Sequence, residues 1–180
     1  NLTDQSEHLP SGATVPVTCS PAKTIDDTLD LCAEYADKGF AVIPHIAARM
    51  VEGEDHVDRI ARRVRDAGIR KVFCIGGDAD PRGPFADSAA FLRSFLDRRP
   101  EIDAVGIGSY PDGHAAITEQ VLDDAQVEKQ EIIRQAGLQG YMATQMCFDA
   151  QTIVSWLERR RAAGVSLPCH LGVPGAVDRT

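Results

Sequence analysis

KVFCIGGDAD, running from Lys71 to Asp80, decides how the rest of the chain is read. Val72-Phe73-Cys74-Ile75 is an unbroken apolar run, too short for an independent helix, with Gly68 before it and Gly76-Gly77 after it. Such a run reads as a strand buried on both faces. Two glycines at its far end let backbone approach a flat ligand, because no Cβ stands in the way. Asp78 then presents a carboxylate at the same place, suited to chemistry or to orienting a substrate.

The pattern repeats outward from this strand. Further strands are expected at Val15 to Cys19, Phe40 to Pro44 with His45 at the end, Ile102 to Ser109, Tyr141 to Phe148 and Leu167 to Val173. Helices are expected after the N-cap Thr24, then at about Glu54 to Ala67, Ala86 to Arg98, Ile117 to Gln135 and Gln151 to Ala163. Lys38-Gly39, Ala67-Gly68, Ala136-Gly137 and Ala163-Gly164 each end a helix a few residues before a new apolar strand. A series of βα units with parallel strands follows, as an open doubly wound sheet or a (β/α)₈ barrel. No GxGxxG run follows any strand, and Gly106-Ile107-Gly108 has the wrong continuation for a Rossmann site. Asn1 to Pro10 is polar and reads as the tail of a helix that begins outside the sequence.

The 180 residues suit one substantial core, so residues 1–180 are expected to form a single domain. A formal charge of −8 argues against a nucleic-acid-binding face, which needs a basic stripe. No apolar run approaches the roughly 20 residues that span a bilayer. The five cysteines (Cys19, Cys32, Cys74, Cys147, Cys169) show no CxxC pair or metal-ligand spacing. Reduced, structural thiols, a cytoplasmic home and no metal are the expectation.

The strand exits are the informative places. They carry Thr18 and Ser20, His45, Gly76-Gly77-Asp78, Tyr110 to His114, Gln145 and Asp149, and Pro174-Gly175. Buried strands rarely tolerate unpaired polar groups, so polar residues at nearly every exit suggest the wall of one shared pocket. In a barrel, ligands meet the carboxyl ends of the strands. Structural readings stand beside these. Asp78 can cap its loop, His45 can be a satisfied core histidine, and Gln145, read as inside an apolar strand, needs some partner. His8 and His56 fall in polar segments expected to be exposed, and His170 reads as packed or paired. Glu158-Arg159-Arg160-Arg161 reads as a solvated helix face.

From about Leu9 onward the chain resembles the methylenetetrahydrofolate reductase family, flavoproteins built on a (β/α)₈ TIM barrel. The landmarks are Val17-Thr18, Pro44-His45, Gly76-Gly77-Asp78, Tyr110-Pro111-Asp112-Gly113-His114, and Thr144-Gln145 followed by Cys147-Phe148-Asp149. The resemblance implies an incomplete barrel of about six βα units, with the first and last strands missing from the sequence. It implies FAD as cofactor and NADH or NADPH as co-substrate, with 5,10-methylenetetrahydrofolate reduced to 5-methyltetrahydrofolate in one-carbon metabolism and methionine biosynthesis. Thr18, His45, Gly77, Tyr110 and His114 would line the FAD site, with Gly76 and Gly108 counted among them. Lys129 would be the flavin-binding lysine, although the segment after it is several residues longer here. Asp78 would sit near the flavin pyrimidine edge and the pterin, and Gln145 would hydrogen-bond the folate ring, these two being the catalytic pair. Two departures stand out. The family's general-acid glutamate belongs to a strand preceding this sequence, and the usual Tyr-Pro-Glu-x-His-Pro run carries Asp112 and Ala115 here. A non-catalytic or regulatory barrel of the same kind is the alternative, and a phosphate-binding barrel lyase a third reading. A folate partner, no nucleic acid, no membrane and self-association into a homo-oligomer complete the expectations.

Overall fold

The structure, a computed structural model, describes residues 9–20 and 22–173. The expected N-terminal helix tail and Pro174-Gly175 lie largely or wholly outside the described residues. The chain divides into two compact units, residues 1–103 and 104–180.

The first unit contains β1 (Thr14–Val17), α1 (Ile25–Asp37), β2 (Ala41–Ala47), a 3₁₀ turn (Ala48–Met50), α2 (Glu54–Asp66), β3 (Lys71–Ile75) and α3 (Ser88–Asp97). Local sequence explains the boundaries. Thr24 and Asp27 form a capping box: the Asp27 N–H donates to Thr24 Oγ1 at 3.0 Å, and the Thr24 N–H donates to the Asp27 carboxylate at 2.8 Å. Gly39, with φ +86°, takes the left-handed turn that ends α1. The strands pair in parallel and in sequence order, Val15 opposite Val42 and Ile46 opposite Cys74. Between strands and helices lies an apolar layer built from Ile25 and Leu29 of α1, Val57 and Ile60 of α2, Phe91 and Phe95 of α3, and Val42, Ile46, Val72 and Cys74. Each aliphatic side chain so buried contributes about 1.5–3 kcal/mol. Outside the core, Arg63 of α2 pairs with Asp26 and Asp30 of α1, while Arg98 pairs with Glu54 and Asp58 of α2.

The second unit contains β4 (Ala104–Ser109), α4 (Glu119–Gln135), β5 (Gln139–Thr144), α5 (Ala150–Ala162) and β6 (Cys169–His170). Its strands are again parallel and sequential, with Ser109 opposite Thr144 and Met142 opposite Cys169. β6 is shorter than the expected Leu167 to Val173. Beyond His170 the chain leaves the ladder, and the Gly172 N–H donates to the Thr144 hydroxyl at 2.9 Å instead. A Cβ on Gly172 would lie 2.5 Å from the Thr144 carbonyl oxygen, so only glycine follows this path. β5 ends at Thr144, which puts Gln145 just past the strand rather than inside it.

Parallel strands in sequence order, joined by helical crossovers in both units, make the fold an incomplete (β/α)₈ TIM-barrel type. No described helix is long and apolar enough to cross a membrane.

Candidate active site

In the first unit, the candidate residues cluster at and near the carboxyl ends of β1 to β3. Thr18 directly follows β1 and is exposed. His45 lies within β2, not at its end, because the strand continues through Ile46 and Ala47. Its ring packs on Phe73 of β3 with centroids 4.6 Å apart. Burial pushes the His45 imidazole below its usual pKa, which favours the neutral ring. The loop after β3 is tied down through Arg49. The Arg49 N–H donates to the Gly76 carbonyl at 3.0 Å, the Arg82 N–H donates to the Arg49 carbonyl at 2.8 Å, and Arg49 Nε donates to the Ala86 carbonyl at 2.9 Å.

Gly77 is required twice over: its φ is +89°, and a Cβ there would lie 3.0 Å from the Cβ of Ala47. Asp78 follows, exposed at the tip. Cys19, past the end of β1, is half-buried. Burial pushes its thiol pKa up, and the Asp78 carboxylate adds in the same sense, so these two groups are within electrostatic reach.

In the second unit a cavity of about 380 Å³ opens beside β4. Gly108, Ser109, Tyr110 and Asp112 line it from the β4 exit, Asp123, Gln126 and Lys129 from α4, and Trp156 and Arg159 from α5. Gly108, Tyr110 and Lys129 are thus brought to one wall. His114 and Gln145 are not part of that lining. The His114 ring sits edge-on to Tyr110, centroids 5.2 Å apart, and its Nδ1 accepts the Ala116 N–H at 3.2 Å. Gln145 has an exposed side chain, while its N–H donates to the Ser109 carbonyl at 2.8 Å. Asp149 accepts from the Gln151 N–H at 3.0 Å and from the Thr152 hydroxyl at 2.7 Å. The Thr152 hydrogen bond holds the Asp149 carboxyl below its usual pKa, and the residue works as the N-cap of α5.

One polar atom in the cavity wall stands out. Ser109 is 3% exposed, and its hydroxyl has no hydrogen-bond partner among the described residues. A buried unpaired hydroxyl is costly. The same lining carries three carboxylates (Asp112, Glu119 and Asp123), two cations (Lys129 and Arg159, the latter paired with Glu119) and two aromatic side chains (Tyr110 and Trp156). Within that set Lys129 and Arg159 are the groups that suit a phosphate and Tyr110 and Trp156 those that suit a flat ring, and the volume falls within the ordinary range for a small-molecule site.

Ser109, Asp123, Gln126, Trp156 and Arg160 escaped the sequence reading. A signal existed for two of them: Asp123 and Gln126 precede Lys129 at spacings of three, so all three share a helix face. Two other readings are corrected. Arg160, assigned to a solvated charge run, is 3% exposed and paired with Asp123. His56, assigned to an exposed segment, is buried against α1, with Nδ1 accepting the Glu52 N–H at 3.2 Å.

A barrel-type protein with candidate residues gathered at the carboxyl ends of its strands is the class these features define. The family model described as methylenetetrahydrofolate reductase matches residues 2–175, and the chain belongs to that family. It is 21% identical over 126 residues to "Methylenetetrahydrofolate reductase 1" of Schizosaccharomyces pombe, a match covering 65% of this chain and 20% of that protein. The chain thus spans about a fifth of the length of that relative. Among solved structures, a protein described as a lyase/mutase from Burkholderia cenocepacia J2315 superposes with a TM-score of 0.54 at 16% identity, covering 98% of this chain and 74% of that one. A D-hydantoinase superposes with a TM-score of 0.50 at 12% identity, covering 87% and 38%. These two likenesses concern the fold alone.

Proposed function

We propose that the protein is an oxidoreductase that binds FAD and reduces 5,10-methylenetetrahydrofolate to 5-methyltetrahydrofolate, with NADH or NADPH as hydride donor. The observation that carries this reading is the cavity of the second unit. There Gly108, Tyr110 and Lys129, each tied to the cofactor by family resemblance, line one cavity with Ser109, whose hydroxyl has no partner among the described residues. Family membership supplies the reaction class.

FAD, when bound, supplies the hydride-accepting and hydride-donating centre; the protein supplies position and electrostatics. In the second unit, Lys129 would pair with the cofactor diphosphate, Gly108 would give close backbone approach, and Tyr110 with His114 would offer ring surface. In the first unit, Thr18 and the neutral His45 would be the family's cofactor contacts, and Gly76 and Gly77 would let a ligand approach the backbone without a Cβ between. Asp78 would provide negative charge where the methylene carbon of the substrate becomes cationic, and would oppose negative charge building up beside it. Gln145 offers one acceptor and two donor hydrogens, matching the mixed edge of a pterin.

The test is a visible spectrum of the full-length protein with FAD added. A flavin band that bleaches on anaerobic addition of NADH, NADPH or 5-methyltetrahydrofolate is expected. A full-length protein that takes up no flavin removes the reading.

A further inference from the structure

Arg160 is a fully charged side chain that folding has taken out of water, 3% exposed, on a helix whose neighbouring arginines reach solvent. Burying a guanidinium is costly unless it is paired and hydrogen-bonded. Its partners lie on two residues of α4. Nε donates to Gln126 Oε1 at 2.7 Å, Nη2 donates to the Asp123 carbonyl at 2.9 Å, and Nη1 meets Asp123 Oδ2 at 2.5 Å. Gln126 is itself 5% exposed and passes the chain on, donating from Nε2 to Met142 Sδ of β5 at 3.1 Å.

Both Asp123 and Gln126 line the cavity, whereas Arg160 stands behind them. A tie between two helices does not need such a group, since an apolar pair of similar volume holds helices together as well or better. What the planar fork adds is orientation: it holds the Asp123 carboxylate through Nη1, the Gln126 amide oxygen through Nε and the Asp123 carbonyl through Nη2 at fixed directions.

We infer that Arg160 is the positioning residue of this cavity, acting through Asp123 and Gln126 to hold two polar side chains in the geometry that a nucleotide-type cofactor meets. The inference rests on the FAD reading above. Its function is pre-organisation: the cavity wall is set before the ligand arrives, so ordering it does not have to be offset by binding.

The experiment compares wild type, R160M, R160K, D123N and D123N/R160M in the full-length protein. FAD dissociation constants come from flavin fluorescence at 15 °C, and Tm is recorded for each variant without FAD. R160M is expected to weaken FAD at least about tenfold, the scale of losing a charge-assisted hydrogen bond. R160K, which keeps the charge but not the fork, should recover part of that loss. If Arg160 acts through Asp123, adding R160M to D123N should cost clearly less than R160M costs alone. A wild type that binds FAD beside folded R160M or R160K variants that bind it equally well, at a lowered Tm, would overturn the inference and leave the FAD reading standing. A wild type that takes up no FAD removes both. If R160M does not fold, R160K against wild type decides the matter.

Discussion

Replacing Ser109 by alanine should make the protein more stable and a worse binder at once. The Ser109 hydroxyl is buried and unpartnered in the cavity wall. A hydroxyl buried without a hydrogen bond costs roughly 1–3 kcal/mol in proteins. Alanine removes that cost and gives up a single oxygen's worth of volume, so a net gain of about 1 kcal/mol in the ligand-free protein is expected. For a chain of this size that raises Tm by about 2–4 °C.

If FAD binds in this cavity as proposed and supplies the missing partner, the variant forgoes that bond. A loss of about 1–2 kcal/mol in binding corresponds to roughly 5–30-fold in the dissociation constant. Urea denaturation without ligand and flavin fluorescence titration read the two effects separately. Thr144 provides the control. It sits opposite Ser109 in the ladder and is also buried, but its hydroxyl accepts the Gly172 N–H at 2.9 Å. T144V should therefore destabilise the ligand-free protein by about 1–3 kcal/mol, because it strands that N–H. The reasoning is refuted if S109A loses stability without FAD, or gains it and binds FAD as tightly as wild type.

Two further outcomes are expected. Gly77→Ala must adopt φ +89° and bring its Cβ 3.0 Å from that of the buried Ala47. The left-handed conformation alone costs about 1–2 kcal/mol, and the contact adds to it. Gly76→Ala, where a Cβ meets nothing within 4 Å, should be far milder, and a urea midpoint for G77A no lower than for G76A would contradict the geometry. Stability should also fall as pH drops below neutrality. Burial lowers the pKa of both His45 and His56, so below the ordinary imidazole value the unfolded chain binds more protons than the folded one. Their contribution is complete above that value and lost as pH falls toward the lowered folded values. His56→Asn, which can still accept the Glu52 N–H, should flatten the slope of urea midpoint against pH between pH 7 and 5; an unchanged slope would show that His56 does not titrate with folding.

The order and type of the elements were readable because their signals are local. The Thr24 to Asp27 capping box, the glycines Gly39, Gly68, Gly137 and Gly164 that end four of the helices, and the apolar run at β3 involve neighbours in sequence, and the structure keeps them within a few residues of expectation. β6 was over-read because its apolar composition says nothing of where the ladder ends. A contact between Gly172 and Thr144, 28 residues apart, decides that. The same limit explains the buried charges. Arg160 sits in a run of like residues, and its burial depends on Asp123 and Gln126, 34 or more positions away. Ser109 and Thr144 look alike as residues ending strands. Only the structure separates the hydroxyl that has a partner from the one that does not.

The departure at Asp112 becomes intelligible in the same terms. The loops after β4 and β5 are joined by two ties, the Gln145 N–H to the Ser109 carbonyl at 2.8 Å and the Cys147 thiol to the Asp112 carboxylate at 3.0 Å. The Asp112 hydrogen bond and burial together push the Cys147 thiol pKa up, so it stays protonated and can donate. Asp112 is thus engaged in holding the cavity rim, which a side chain one methylene longer would meet at a different point. With the rim fixed by these ties and the wall fixed by Arg160, the Ser109 hydroxyl remains without a partner while the groups around it are already committed. A site ordered before its ligand arrives loses little entropy on binding. The cost of that order is borne in the folded protein, at a buried hydroxyl left without a partner among the described residues.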